Sequence, residues 1–207
     1  MNAQPTTRRP RSDGIRSRRA ILDASARLAT VEGLNGLSIG GLAEHIGMSK
    51  SGLYAHFKSK EELQLATIET AAALFNAEVV EPGSAAPAGL ARVWALSEEF
   101  LSHLERGVFP GGCFFASVAA EVDTRPGAVR DRIYKVIDEW VGALVDAIAG
   151  AQAAGEIDPS EDPGQLAFEI DAMLLMANAA YVMEPRPEVI ESGRRGIAKL
   201  IGPAPAR

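Results

Sequence analysis

The sequence predicts an all-α protein, and three observations carry that prediction. Alanine, leucine and isoleucine supply most of an apolar content of 47%, while aromatics make up only 6%; alanine and unbranched side chains lose least on entering a helix. Apolar residues recur at helical spacing, most clearly at Val129, Ile133, Val136, Ile137, Trp140, Leu144, Val145 and Ile148, a stripe that a single helix would turn towards a core. No segment shows the alternation of a half-buried strand, and proline or glycine marks most gaps between periodic stretches.

Taken in order, residues 1–14 are rich in Pro, Thr, Arg and Ser without periodicity and read as a flexible basic arm. A first helix is predicted from Ser17 to Glu32, where Ile21, Ala24, Leu28 and Ala29 share a face and Gly33 offers a left-handed stop. Two short helices follow, at 38–46 and 49–56, with Ser38 and Ser49 placed to cap them and Gly47 supplying a tight turn between them. A longer helix opens at Ser59, with Glu62 completing a capping box, and runs to about Val80. The stretch from Glu81 to Pro87 reads as a break near a domain boundary. Beyond it, helices are predicted at 88–106, 113–122, 127–153, 163–183 and 187–201.

Composition narrows the function. No uninterrupted apolar run reaches the ~18–20 residues of a membrane span, and the polar start lacks the apolar stretch of a secretory signal; a cytoplasmic protein is expected. Cys113 is the only cysteine, so neither an intrachain disulfide nor a multi-cysteine metal site can form, and it reads as a packing residue rather than a thiol sensor. Of the three histidines, His45 and His56 fall within the short-helix segment and His103 stands apart. With no nucleophile elbow, phosphate loop or histidine pair at metal spacing, no catalytic residue, metal or cofactor is expected. A small helical enzyme is the disfavoured alternative.

The charge is unevenly placed. The net charge is −6, yet residues 1–60 carry ten basic and four acidic side chains. A basic head on an acidic body suits phosphate binding by one end, although a basic tail on an unrelated domain would give the same count. The segment from Leu37 to Leu63 distinguishes them. It has the plan of a helix-turn-helix, with Ser49, Lys50, Ser51 and Gly52, all but Lys50 small, opening its second helix. Such residues let backbone approach a groove, and free N–H groups there favour phosphate.

The run Ala43-Glu-His-Ile-Gly-Met-Ser-Lys-Ser-Gly-Leu-Tyr-Ala-His-Phe-Lys-Ser-Lys-Glu-Glu-Leu63, preceded by Arg19-Ala-Ile-Leu-Asp-Ala24, resembles the TetR family of repressors. The resemblance covers about the first 65 residues, and Gly111-Gly112-Cys113 followed by Glu121 is similar to one branch of that family. It implies an N-terminal three-helix DNA-binding domain (15–62) joined by a long helix to a helical ligand-binding and dimerisation domain (63–207). Ser38, Tyr54, His56 and Lys60 match phosphate-contacting positions, Lys50, Ser51 and Gly52 match positions facing base edges, and Arg16, Arg18 and Arg19 would reach the minor groove or the backbone beside it. Lys50 can donate to guanine O6 or N7; a phosphate contact is its alternative. Gly40-Gly41 departs from the charged or polar pair common in relatives.

The implied partners are a palindromic double-stranded DNA operator, a second copy of the chain, and a small, mainly apolar effector whose binding releases the DNA. A constitutive DNA-binding regulator is the alternative. Residues 166–183 are apolar nearly all round and, with Val189, Ile190, Ile197, Leu200 and Ile201, form the expected dimer interface. Trp94, Phe100, His103, Phe114, Phe115, Trp140, Met173, Met176, Asn178 and Tyr181 are the candidate pocket lining, although each singly also suits an ordinary core.

Overall fold

The computed structural model describes residues 10–122, 124 and 126–205, with side chains from residue 17 onwards apart from Asp123 and Arg125. Its elements are α1 (Pro10–Glu32), α2 (Ile39–His45), α3 (Lys50–Tyr54), α4 (Lys60–Phe75), a π-helical stretch (Asn76–Val80), α5 (Glu81–Ser84), α6 (Leu90–Glu105), α7 (Phe114–Val122), α8 (Ala128–Ala153), α9 (Pro163–Met183) and α10 (Pro187–Ile201). No strand occurs among the described residues, as the apolar periodicity requires.

Two expectations are corrected. The first helix begins at Pro10 rather than Ser17, so residues 10–14 of the expected arm are helical, while residues 1–9 lie outside the described residues. Proline suits a first helical turn because its missing N–H has no intrahelical partner to lose and its φ is preset. Likewise, Pro82-Gly83 does not end the fourth helix. The chain passes from α4 into the π-helical stretch, where the Glu81 N–H donates to the Asn76 carbonyl, and continues through α5. The wider register accommodates a residue that would otherwise clash with the carbonyl four residues back. Gly83 is where α5 crosses α6: a Cβ there would lie 2.8 Å from the Leu96 Cα.

Serine caps set the short helices. The Oγ atoms of Ser38, Ser49 and Ser59 accept from the N–H groups of Gly41, Gly52 and Glu62 at 3.0, 3.1 and 3.0 Å, each worth about 1 kcal/mol. Glu62 reaches back to the Lys58 N–H at 2.9 Å, one residue before the expected partner.

Two apolar clusters divide the chain. Ile21, Ile39, Leu42, Ala43, Leu53, Phe57 and Leu63 form a small one beneath α2 and α3. The larger runs through α4 to α10 and takes in Ala26 and Ala29 of α1. Helices α1 and α4 therefore contribute to both. They are tied by Ser25, which donates to Thr67 Oγ1 at 2.8 Å while the Thr67 hydroxyl donates to the Leu63 carbonyl. Helix α9 has the length and composition to cross a membrane, but it packs against α6, α8 and α10.

Candidate functional site

The first candidate site is the outer surface of α2 and α3. Gly47 (φ +67°) turns the chain between them, and Leu53 and Phe57 anchor α3 from beneath. This leaves Ser38, Ser49, Lys50, Ser51, Tyr54 and Lys60 exposed on the head. The Lys50 side chain folds over α2, where a Cβ on Gly40 would sit 3.2 Å from its Cε. The unusual glycine pair thus has a local consequence: Gly40 leaves room for Lys50.

The cap bond of Ser49 means that one N–H at the start of α3, expected to face phosphate, is already engaged. Two basic residues are also tied down. Arg18 donates to the His56 carbonyl and holds its guanidinium 4.3 Å from the centre of the Phe57 ring, so it fastens α1 to the end of the motif rather than reaching outwards. Lys60 donates to the Asn35 carbonyl. Arg19 is exposed, His56 and Gly52 are half-buried, and the side chain of Arg16 lies outside the described residues.

A polar junction joins head to body. The Glu121 carboxylate at the end of α7 accepts from the Leu34 and Asn35 N–H groups at 3.1 and 2.9 Å, and the Asn35 side-chain amide donates to the Glu121 carbonyl at 3.1 Å. From α4, Gln64 donates to the Leu34 carbonyl at 2.9 Å. The Gly111-Gly112-Cys113 segment completes the junction. Gly111 lies against the Thr30 carbonyl and donates to Thr30 Oγ1, and the bare Gly112 backbone lets Asn178 Oδ1 accept from the Cys113 N–H at 2.8 Å.

The second candidate site is a cavity of about 240 Å³ among α4, α6, α7, α8 and α9. An apolar cavity of about 150 Å³ already admits benzene. Phe75 meets Phe100, Phe115 and Trp140 edge-to-face, with ring centres 6.2, 6.0 and 5.4 Å apart. Small side chains of α7 (Ala116, Ala119 and Ala120) leave the space, and Asp171 brings a carboxylate to it. Trp140 Nε1 donates to Asp171 Oδ1 at 2.8 Å, while burial raises the Asp171 pKa against the lowering effect of that bond.

Of the ten expected lining residues, Phe100, Phe115, Trp140 and Asn178 border this cavity. Trp94 instead donates to the Gly202 carbonyl at 3.2 Å, and Phe114 is packed between Phe109 and Phe115. Met173 and Met176 border an outer groove between α9 and α10, and Tyr181 packs at the edge of the large core. His103 is buried against Phe75 and Phe109 with both ring nitrogens unpartnered, and burial with nearby Arg106 lowers its pKa to about 4. Cys113 does line the cavity, but its complete burial raises the thiol pKa to about 11, which suppresses the thiolate a sensor needs. Phe75 and Asp171 were not anticipated as lining residues; their positions in apolar helices carry no signal of a cavity.

Comparison with known proteins matches both ends of the chain. Residues 21–67 match the family model described as bacterial regulatory proteins, tetR family, and residues 89–197 match the tetracyclin repressor-like C-terminal domain. No curated protein matches the sequence. Among solved structures, a TetR transcriptional regulator from Chloroflexus aurantiacus is 28% identical with a TM-score of 0.80, covering 92% of this chain and 94% of its own. AibR, solved in complex with isovaleryl coenzyme A and operator DNA, is 26% identical with a TM-score of 0.75, covering 90% and 98%. A TetR-family regulator from Cytophaga hutchinsonii, 22% identical with a TM-score of 0.77 and covering 90% and 93%, shares the fold.

Proposed function

The chain belongs to the TetR family of bacterial transcriptional regulators, and on that premise we propose that it is a cytoplasmic repressor, released from a palindromic operator when a small, mainly apolar molecule enters the aromatic cavity. Residues 15–62 act as the DNA-binding head and 63–207 as the sensing and dimerising body. The observation that carries this reading is the span of α4. Leu63 at one end belongs to the head core, and Phe75 at the other forms part of the cavity wall. A helix of that length covers about 24 Å at ~1.5 Å per residue. Ligand that moves Phe75 therefore moves the element on which the head sits, favouring a conformation in which two heads no longer match the operator.

Dimerisation is supported by the outward face of α9. Phe168, Leu175, Met176, Val182 and Met183 are exposed at helical spacing, Phe168 and Met183 by 66% and 86%. A second copy packed on this face and on α10 would remove that apolar surface from water. AibR, which was solved with both an acyl-coenzyme A and operator DNA, supports the pairing of an effector site with a DNA-binding head. On the DNA, Lys50 and Ser51 face base edges, Ser38, Ser49, Tyr54 and His56 approach phosphates, Lys60 does so by exchanging the Asn35 carbonyl for a phosphate oxygen, and Arg19 approaches the flanking backbone.

Selection of duplexes from a random pool by the full-length chain tests the proposal. Two inverted half-sites about one helical turn apart (~34–36 Å) are expected. Absence of any enriched sequence would overturn the DNA-binding role, and enrichment of single half-sites would overturn the dimer.

A further inference from the structure

The polar chemistry of the cavity is one-sided. Its aromatic wall (Phe75, Phe100, Phe115 and Trp140) presents π-systems that attract cations. Its one acidic side chain, Asp171, is held in place by the 2.8 Å bond from Trp140 Nε1 to Oδ1. Among the described residues no lysine, arginine or histidine forms an ion pair with it, and none hydrogen-bonds to its second oxygen. Burial without a cation disfavours the ionised form, in accord with the direction of its pKa shift. Of the other polar groups at the wall, Asn178 Oδ1 is already engaged by the Cys113 N–H.

A carboxylate lodged among aromatic rings lacks a countercharge, and the described residues supply none there. We infer that the effector supplies it: the cavity takes a compact organic cation, an ammonium or amidinium carried on an aromatic or short aliphatic body, with the positive nitrogen against Asp171 and the body against Phe75, Phe100 and Trp140. The volume of about 240 Å³ limits that body to about one ring and a short chain. This inference rests on the cavity being the effector site.

Calorimetric titration of the full-length protein at pH 7.5 with three probes of matched shape provides the test: phenethylammonium, phenethyl alcohol and phenylacetate. The ammonium should bind about tenfold more tightly than the alcohol, an expectation of the size a buried cation–π contact and one ion pair allow after desolvation, and phenylacetate should bind more weakly still. In Asp171→Asn, which keeps the acceptor for Trp140, the ammonium should fall to the affinity of the alcohol while the alcohol is unchanged. Equal or tighter binding of the alcohol or phenylacetate to the unsubstituted protein would overturn the cation while leaving the cavity as a ligand site. A preference for the ammonium that survives Asp171→Asn would assign it to general surface charge and overturn the role of Asp171. Failure of all three probes to bind would remove the effector-site reading itself, and this inference with it.

Discussion

Replacing Glu121 with alanine should loosen the head from the body while leaving both cores packed. The carboxylate accepts two backbone N–H groups, from Leu34 and Asn35 at 3.1 and 2.9 Å, and no other acceptor among the described residues serves either donor. A hydrogen bond to a charged group contributes about 1.5–3 kcal/mol. Glu121 is half-buried, so the lower end applies, and losing both bonds should cost about 3 kcal/mol. Glu121→Gln keeps one acceptor and turns an amide NH2 group towards the other donor, so about half that loss or slightly more is expected. Urea unfolding of the full-length protein measures the sum, and amide hydrogen exchange at Leu34 and Asn35 localises it. Because α7 also lines the cavity through Ala116, Ala119 and Ala120, the same change should weaken operator binding by freeing the loop between α1 and α2. A Glu121→Ala protein within about 0.5 kcal/mol of the original, with both amides still protected, would refute the clamp.

His103 gives a pH dependence of defined sign. Its folded pKa of about 4 lies below the ordinary 6.5, so the unfolded chain takes up the proton first. The stabilising effect is therefore complete above about pH 6.5 and is lost as pH falls towards 4, reaching about 3 kcal/mol in total and about 2 kcal/mol by pH 5. Urea midpoints compared at pH 7.5 and 5 should fall less for His103→Phe than for the unsubstituted protein; parallel losses would remove His103 as the cause. Gly40→Ala should stabilise α2 by up to about 1 kcal/mol, yet its Cβ would press on the Lys50 side chain. Duplex selection with this variant should show an altered preference at the base pair proposed to face Lys50, and an unaltered motif would mean that Gly40 does not position it.

Much of the fold was legible because its signals are local. Ser38, Ser49 and Ser59 sit where helix starts need a side-chain acceptor, and the body helices end at proline or glycine, so their bounds fall close to those read from periodicity. The break read at Glu81–Pro87 begins only after Ser84, because a π-helical register and the crossing of α6 at Gly83 override the local signal of Pro-Gly. The exposed head was legible from Leu37–Leu63, but Arg18 was not: its partners, the His56 carbonyl and the Phe57 ring, lie 38 and 39 positions along the chain. The cavity was the least legible feature. Large residues such as Trp94 and Met176 draw attention in a sequence, whereas a void is made by what is small, here Ala116, Ala119 and Ala120. Asp171 reads as one polar residue in an apolar helix until Trp140 and the surrounding rings are placed around it.

Helix α3 is proposed to read operator sequence, with Lys50 facing a base edge. Parallel duplex selections by the full-length protein and by Lys50→Ala test it most directly. A two-fold-related motif is expected for the first and, for the second, relaxed preference at one base pair of each half-site, with a discrimination loss there of about 1–3 kcal/mol. Identical motifs from the two proteins, with affinity lowered uniformly across sequences, would make Lys50 a phosphate contact and contradict the claim.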